Sequence, residues 1–421
     1  MSSRTLIRGG CVLTLGVKSP NFTQADVLID DDRVAEVGPG LRARDAEVVD
    51  ATDTIVMPGF VDTHRHAWKS LFRNLGESDP GGEAHGHRFQ PEDVYAATLI
   101  GLLGAVEAGI TTVVDWSDIQ IDDAYTDAAL QAHADAGLRT VFVHGSPDRT
   151  VGTAGPLTTI AFGADEPGQD GLNGAEAAWD VGRRLGLRIH AHAGTGQTRA
   201  GALADLVGLL GADVTLVHCT NLDRADLDAI ASSGAAVSLT PSSEMAGGLG
   251  APPIQALIDR GLRPGLGVDN ERVAPGDMFA QMRATISIQH ATLFDLKLAG
   301  KAGVPKLLTT RDVIRFATID GARAVGLSGV TGSLEPGKQA DIVVLRTDRP
   351  NIIPINDPIG AVVWGMDTSN VDWVFVGGRA QMRSGVLQAD VGRARQLATA
   401  AQHRVGRASG ALAASGPGGS R

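Results

Sequence analysis

Residues 57–66 read MPGFVDTHRH, an apolar run that ends in two imidazoles, His64 and His66, one residue apart. Side chains two apart on a strand share a face, so both rings can reach one ion. Histidine is the commonest metal ligand, and neutral imidazole suits zinc, iron and related divalent ions, so the pair predicts a metal site. Three further apolar runs end in polar residues: LRIHAH at 187–192, VTLVH at 214–218 and LGVD at 266–269. A hydrolytic metal centre needs a few fixed ligands, one open position for water and a base beside it. His64, His66, His192 and Asp269 can supply that set. His190 competes with His192, because both lie on the same face of one strand.

These segments, in this order, together with GSLEPGKQADIVVL at 332–345, resemble the amidohydrolase superfamily, specifically its branch of triazine hydrolases, cytosine-type deaminases and adenosylhomocysteine deaminases. The resemblance covers nearly the whole chain. It implies that His64 and His66 come from the first strand of a barrel, His192 from the fifth and Asp269 from the eighth. Asp269 would also accept the proton of the water, and His190 would lie one layer deeper than His192. His218, ending the sixth strand, would sit beside that water, polarising the substrate or steadying the developing oxyanion. Dinuclear relatives bridge two ions with a carboxylated lysine on the fourth strand. No lysine occurs here between Lys69 and Lys297, which points to a single metal. Zinc is the default, and the same nitrogen and oxygen donors would accept iron, cobalt or manganese.

The chain departs from that branch in proton delivery. Its deaminases carry a glutamate three residues after the fifth-strand histidine, where this chain has Thr195, and threonine cannot act as a general acid near pH 7. Glu244 and Glu271 are the candidate substitutes, although a loop carboxylate and a carboxylate at a helix N-terminus would look the same. Without the acid, an amide, carbamate or urea gains ground as substrate, since a polarised carbonyl needs less help at a ring nitrogen, and the expected C–N bond extends to that of a cyclic amidine. The alternative is an aminohydrolase that releases ammonia from a purine, pyrimidine or triazine ring. A barrel that has lost catalysis and serves as a scaffold is disfavoured by its full set of expected site residues. Asp115, Trp116 and His144 end the second and third strands and face the same mouth, where an indole can stack on a planar substrate. Thr195 and Glu271 join Trp116 and His144 as substrate-facing candidates. His85 and His87 lie in a glycine-rich loop, as a lid or as solvated surface. Met278, Phe279 and Met282 at helical spacing read as core.

Positioning these residues calls for an α/β fold, a (β/α)₈ TIM-type barrel with a small β-sandwich built from both chain ends. Apolar strands of about six residues alternate with Ala/Leu-rich helical segments. Strand ends fall near Asp62, Trp116, His144, Phe162, His192, His218, Thr240 and Asp269, and eight parallel strands bring such ends to one mouth. Segments 5–7, 11–14, 26–29, 33–37 and 48–51, with 341–345, 361–364 and 371–376, read as short strands of the sandwich. The expected division is 1–57 with 332–395 for the sandwich, 58–331 for the barrel, and 396–421 for a C-terminal helix and a disordered tail. Residues 145–157 hold two prolines and three glycines, so the barrel is expected to lack its third helix there, covered by a loop or by a second copy in a homo-oligomer.

At 421 residues there is room for a barrel and one small module. A net charge of −11 and the lack of any basic run disfavour nucleic acid and anionic membranes and leave a small molecule as the partner. Two cysteines, no signal-like start and no apolar stretch of ~18 residues suggest a soluble protein of the reducing cytoplasm.

Overall fold

The computed structural model describes residues 4–16, 19–74, 86–145, 155–168, 172–196 and 198–407. Five strands come first: β1 (Arg4–Val12), β2 (Phe22–Asp30), β3 (Arg33–Gly38), β4 (Glu47–Asp50) and β5 (Thr54–Pro58). Eight follow as βα units: β6 (Phe60–Arg65), β7 (Ile110–Trp116), β8 (Arg139–His144), β9 (Thr158–Ala164), β10 (Ile189–Ala193), β11 (Val214–His218), β12 (Ala236–Leu239) and β13 (Gly265–Leu266). The chain ends with β14 (Ile342–Arg346), β15 (Val371–Val376), β16 (Arg379–Arg383) and β17 (Val386–Leu387).

Strands β6 to β13 form one parallel sheet in sequence order. Their residues are buried almost throughout, as expected where helices cover one face of a sheet and the other lines a barrel. The gap between first and last strands is bridged by backbone: Asp269 N donates to His64 O at 2.8 Å and His66 N to Asp269 O at 2.7 Å. Inside, Val61, Val114, Val141, Val143 and Ala161 cluster with Ala322 and Val325. The barrel is therefore a packed core whose free space lies at the C-terminal mouth.

The two chain ends meet in a separate, mostly antiparallel sheet of order β17-β16-β15-β14-β5-β1-β2-β3, with β4 beside β1. The pairing of β5 with β14, from Thr54 opposite Arg346 to Pro58 opposite Ile342, joins the halves. This sheet has its own apolar core, including Ile7, Val27, Val34, Val56, Val344 and Phe375. Gly59 alone separates β5 from β6, and a Cβ there would lie 2.1 Å from Thr111 Cγ2, so the two sheets meet at a point that admits no side chain.

Three expectations need correction. Segment 5–7 and the first half of 11–14 belong to one continuous strand, β1, which carries register shifts between Ile7, Gly10 and Val12 and ends before Leu13 and Thr14. Segment 361–364 is not a strand: Pro358–Gly360 starts a helix that continues as a π-turn over Ala361–Gly365. Pro358 suits a first helical position and the Asp357 side chain accepts the Gly360 N–H, which outweighs the strand preference of Val362 and Val363. The C-terminal helix starts at Val391 rather than 396, because Asp390 caps it by accepting the Arg393 N–H at 2.9 Å. Most of the connection at 145–157, His85 of the possible lid and the tail beyond 407 lie outside the described residues; His87 is exposed. Among the described residues no helix is long and apolar enough to cross a membrane.

Candidate metal centre and cavity

Three ring nitrogens and one carboxylate oxygen converge at the barrel mouth. His64 Nε2 lies 3.3 Å from His192 Nε2 and 3.7 Å from Asp269 Oδ1, and His66 Nε2 lies 3.5 Å from the same oxygen. His64, His66 and His192 form a group able to hold a metal ion, and it is the only one among the described residues. Donors about 2.0–2.1 Å from a tetrahedral zinc stand roughly 3.3–3.4 Å apart, close to the separations here. Burial and, after it, the neighbouring imidazoles push His64 and His192 well below the usual histidine range, which leaves both neutral and able to donate a lone pair. The residues fit a divalent cation.

Two of the four donors, His66 and Asp269, are oriented from behind by hydrogen bonds of the kind that fix metal ligands. His66 Nδ1 faces Trp116 O at 2.9 Å, which places the proton there and turns Nε2 inward. Asp269 Oδ2 accepts the Ser243 hydroxyl and, at 3.0 Å, Asn270 Nδ2, leaving Oδ1 to the imidazoles. On β6, Asp62 accepts Arg65 Nε at 2.7 Å and the Val268 N–H at 3.0 Å, tying the first strand to the last. Both Asp269 (φ 66°) and His218 (φ 73°) sit in the left-handed backbone region. That region is rare for residues with a Cβ, and such strain collects at functional sites.

His218 packs against the donors, its ring centroid 5.6 Å from His64 and 5.4 Å from His192. Its Nδ1 lies 3.2 Å from Glu244 Oε1 and 3.1 Å from Thr240 Oγ1. Burial opposes a charge on this ring, but the Glu244 hydrogen bond and then Asp269 outweigh it and hold His218 above the usual range. Glu244 is itself buried, which pushes its carboxyl up, and it receives the Thr240 N–H at 2.8 Å.

A cavity of about 720 Å³ opens over the group, walled by Trp116, Thr195, His218 and Asp269 among others. Trp116 stands 4.2 Å from the His192 ring, centroid to centroid. His144, Glu244 and Glu271 lie outside this wall. Glu271 is held by Ser70 Oγ at 2.7 Å, Arg73 Nε at 2.6 Å and Arg65 Nη1 at 3.2 Å. Burial works against its charge, yet Arg65 and then Arg73 hold the carboxyl below the usual range, so as a substrate contact or proton donor Glu271 gives way to a structural anchor. His190 is buried beneath His192, with neither ring nitrogen bonded among the described residues, and burial followed by Arg188 pushes it down to about 3.

Sequence reasoning did not find Lys69, Asp118, Glu166 and Asn270, which also line the cavity. Asp118 and Glu166 each stand two residues past the last residue of a barrel strand, β7 and β9, so a search extended past the strand ends would have reached them.

The sequence pattern of the amidohydrolase family matches residues 55–380. Over 425 residues the chain is 29% identical to the 5'-deoxyadenosine deaminase of Methanothermobacter thermautotrophicus, spanning 91% of this chain and 94% of that one. It is 28% identical over 415 residues to the 5-methylthioadenosine/S-adenosylhomocysteine deaminase of Pelotomaculum thermopropionicum, spanning 90% and 93%. In three dimensions it is similar to a zinc-bound adenosine deaminase from Xanthomonas campestris, with a TM-score of 0.81 and 21% identity over 96% of this chain and 99% of that one. A mutant atrazine chlorohydrolase from Arthrobacter aurescens, complexed with zinc and atraton, gives 0.82 and 21% over 94% and 100%.

Proposed function

The chain belongs to the amidohydrolase family, and we propose that it is a mononuclear metal-dependent hydrolase that cleaves a non-peptide C–N bond of a small molecule: an amide, carbamate, urea or cyclic amidine. The observation that carries the reading is the convergence of His64, His66, His192 and Asp269 at one end of the barrel, under a cavity that also exposes His218. Those four residues would hold the ion, zinc in the first instance and iron, cobalt or manganese as alternatives, which would supply a Lewis acid that polarises the substrate and lowers the pKa of water.

The protein's own groups divide the remaining work. Asp269, its Oδ2 fixed by Ser243 and Asn270, keeps Oδ1 for the proton of the attacking water. His218, held from behind by Glu244, meets the negative charge that develops on the substrate. Glu244 is a positioning residue, since it touches the ring of His218 and does not line the cavity. Trp116 offers a flat face to a planar substrate. The leaving amine regains a proton from Asp269 or His218. A cytoplasmic location is supported by Cys11 and Cys219 being free.

A second reading, an aminohydrolase releasing ammonia from a purine, pyrimidine or triazine ring, is favoured by the relatives above that are named deaminases of adenosine-type compounds. One experiment separates the two. Zinc-loaded protein is assayed for ammonia from nucleosides, pyrimidines and aminotriazines, and for amine release from amides, carbamates and ureas. Product from the acyclic panel alone supports carbonyl hydrolysis, and ammonia from a ring selects the second reading. No product from either panel, with folded and metal-replete protein, removes both.

A further inference from the structure

Glu166 follows the fourth barrel strand and is 8% exposed, in the same cavity wall as His192, Thr195, His218 and Asp269. Its Oε1 accepts the backbone N–H of Thr195 at 2.9 Å, that of Thr198 at 3.1 Å, and the Thr198 hydroxyl. The Thr198 oxygen in turn accepts the Gly194 N–H at 2.8 Å, which leaves its proton for Glu166. Oε2 has one partner among the described residues, the Thr195 hydroxyl. The loop that leaves the metal-binding strand β10 is thus wrapped around a carboxyl delivered by β9.

All four partners are donors, so the group works here as an acceptor. A carboxylate offers about four lone-pair sites. Oε1 is filled from the loop, whereas Oε2 keeps capacity, and no arginine or lysine forms an ion pair with Glu166 among the described residues. A buried acceptor at a cavity wall with an open position is answered by a donor from whatever fills the cavity.

We infer that Glu166 receives an N–H group of the substrate, and that the substrate is a planar molecule bearing such a donor, an amidine, a guanidine or an amino-substituted heterocycle lying against Trp116. This rests on the hydrolase reading for where the substrate sits. Thr195 and Thr198 are positioning residues: three of their donors take Oε1, and the Thr195 hydroxyl takes one position on Oε2. Thr195 then marks the loop that holds an acid group brought from the neighbouring strand.

The test is binding, not turnover. Titration calorimetry on the zinc-loaded full chain compares 2-aminobenzimidazole, a planar cyclic guanidine, with 1-methyl-2-(dimethylamino)benzimidazole, in which every N–H is replaced. The wild type is expected to prefer the first by about ten-fold or more, the range of a hydrogen bond to a charged group. Glu166→Gln should erase most of that preference and leave the affinity for the methylated probe unchanged, with a native circular dichroism spectrum. An absent preference in the wild type, or one that survives Glu166→Gln, overturns the inference. Should Glu166→Gln fail to fold, Thr198→Val carries the same test: the preference must fall while the methylated probe binds as before, and an unchanged preference overturns it. Because the readout needs no chemistry, a preference lost in Glu166→Gln alongside an empty product panel sinks the hydrolase reading and leaves only Glu166 as the receiver of a ligand's N–H. Product without the preference does the reverse.

Discussion

At the scale of single residues, the proposal separates groups that would hold an ion from groups that orient them, and substitutions should separate them too. His66→Ala removes one of four converging donors and is expected to abolish metal retention, read by elemental analysis of the dialysed protein. Asp269→Asn should lower kcat by about 10²-fold or more while the circular dichroism spectrum stays native, because it removes the base and keeps the shape. Glu244→Gln keeps the metal and weakens the charge behind His218, so kcat should fall by about ten-fold or more with metal content unchanged. The convergence of His64, His66, His192 and Asp269 was legible because each ends an apolar run, which makes it visible along the chain. Glu271 misled for the opposite reason: its sequence neighbour is Asn270 in the cavity wall, but the arginines that capture it, Arg65 and Arg73, come from the first strand and the turn after it. Glu166 stayed hidden because its partners Thr195 and Thr198 lie on another strand's loop, a contact no spacing reveals.

Elements were legible wherever burial sets the pattern. All eight barrel strands lie where their apolar runs fall, and even short β13 is marked by LGVD. The misreading at 361–364 shows the limit, since two adjacent valines look alike in a strand and in a buried turn, and the capping aspartate decides. The backbone just past the last barrel strand also carries a steric condition on the candidate metal site. A Cβ on Gly267 would stand 2.7 Å from His64 N and 2.8 Å from His64 O, both backbone atoms. Gly267→Ala must therefore push the first and last strands apart. We expect it to cost about 1–3 kcal/mol in urea denaturation and to weaken zinc binding at least ten-fold in a chelator competition. Unchanged zinc affinity would mean that the gap bridged by Asp269 and His64 does not set the donor geometry.

For the molecule as a whole, the proposed ligands come from the ends of the first, fifth and eighth barrel strands, so an ion held by them would clamp the closure. Binding to the native state alone stabilises it by about 4 kcal/mol at a thousand-fold excess over Kd. Chelation should thus lower the melting temperature by several degrees and zinc should restore it, whereas His66→Ala should respond to neither. The division of labour between sheet and barrel also fixes an order in time. Strand β5 finds its partner β14 only across the entire barrel sequence, so a chain growing from its N-terminus holds that strand with one edge vacant until the barrel has been made. A chain stopped before residue 342 should accumulate in the insoluble fraction, since Ile55, Val56 and Met57 would be left on an uncovered edge. The seam between the two ends acts as a proof of completion: it closes only on a polypeptide already synthesised past Asp269, the last of the proposed ligands.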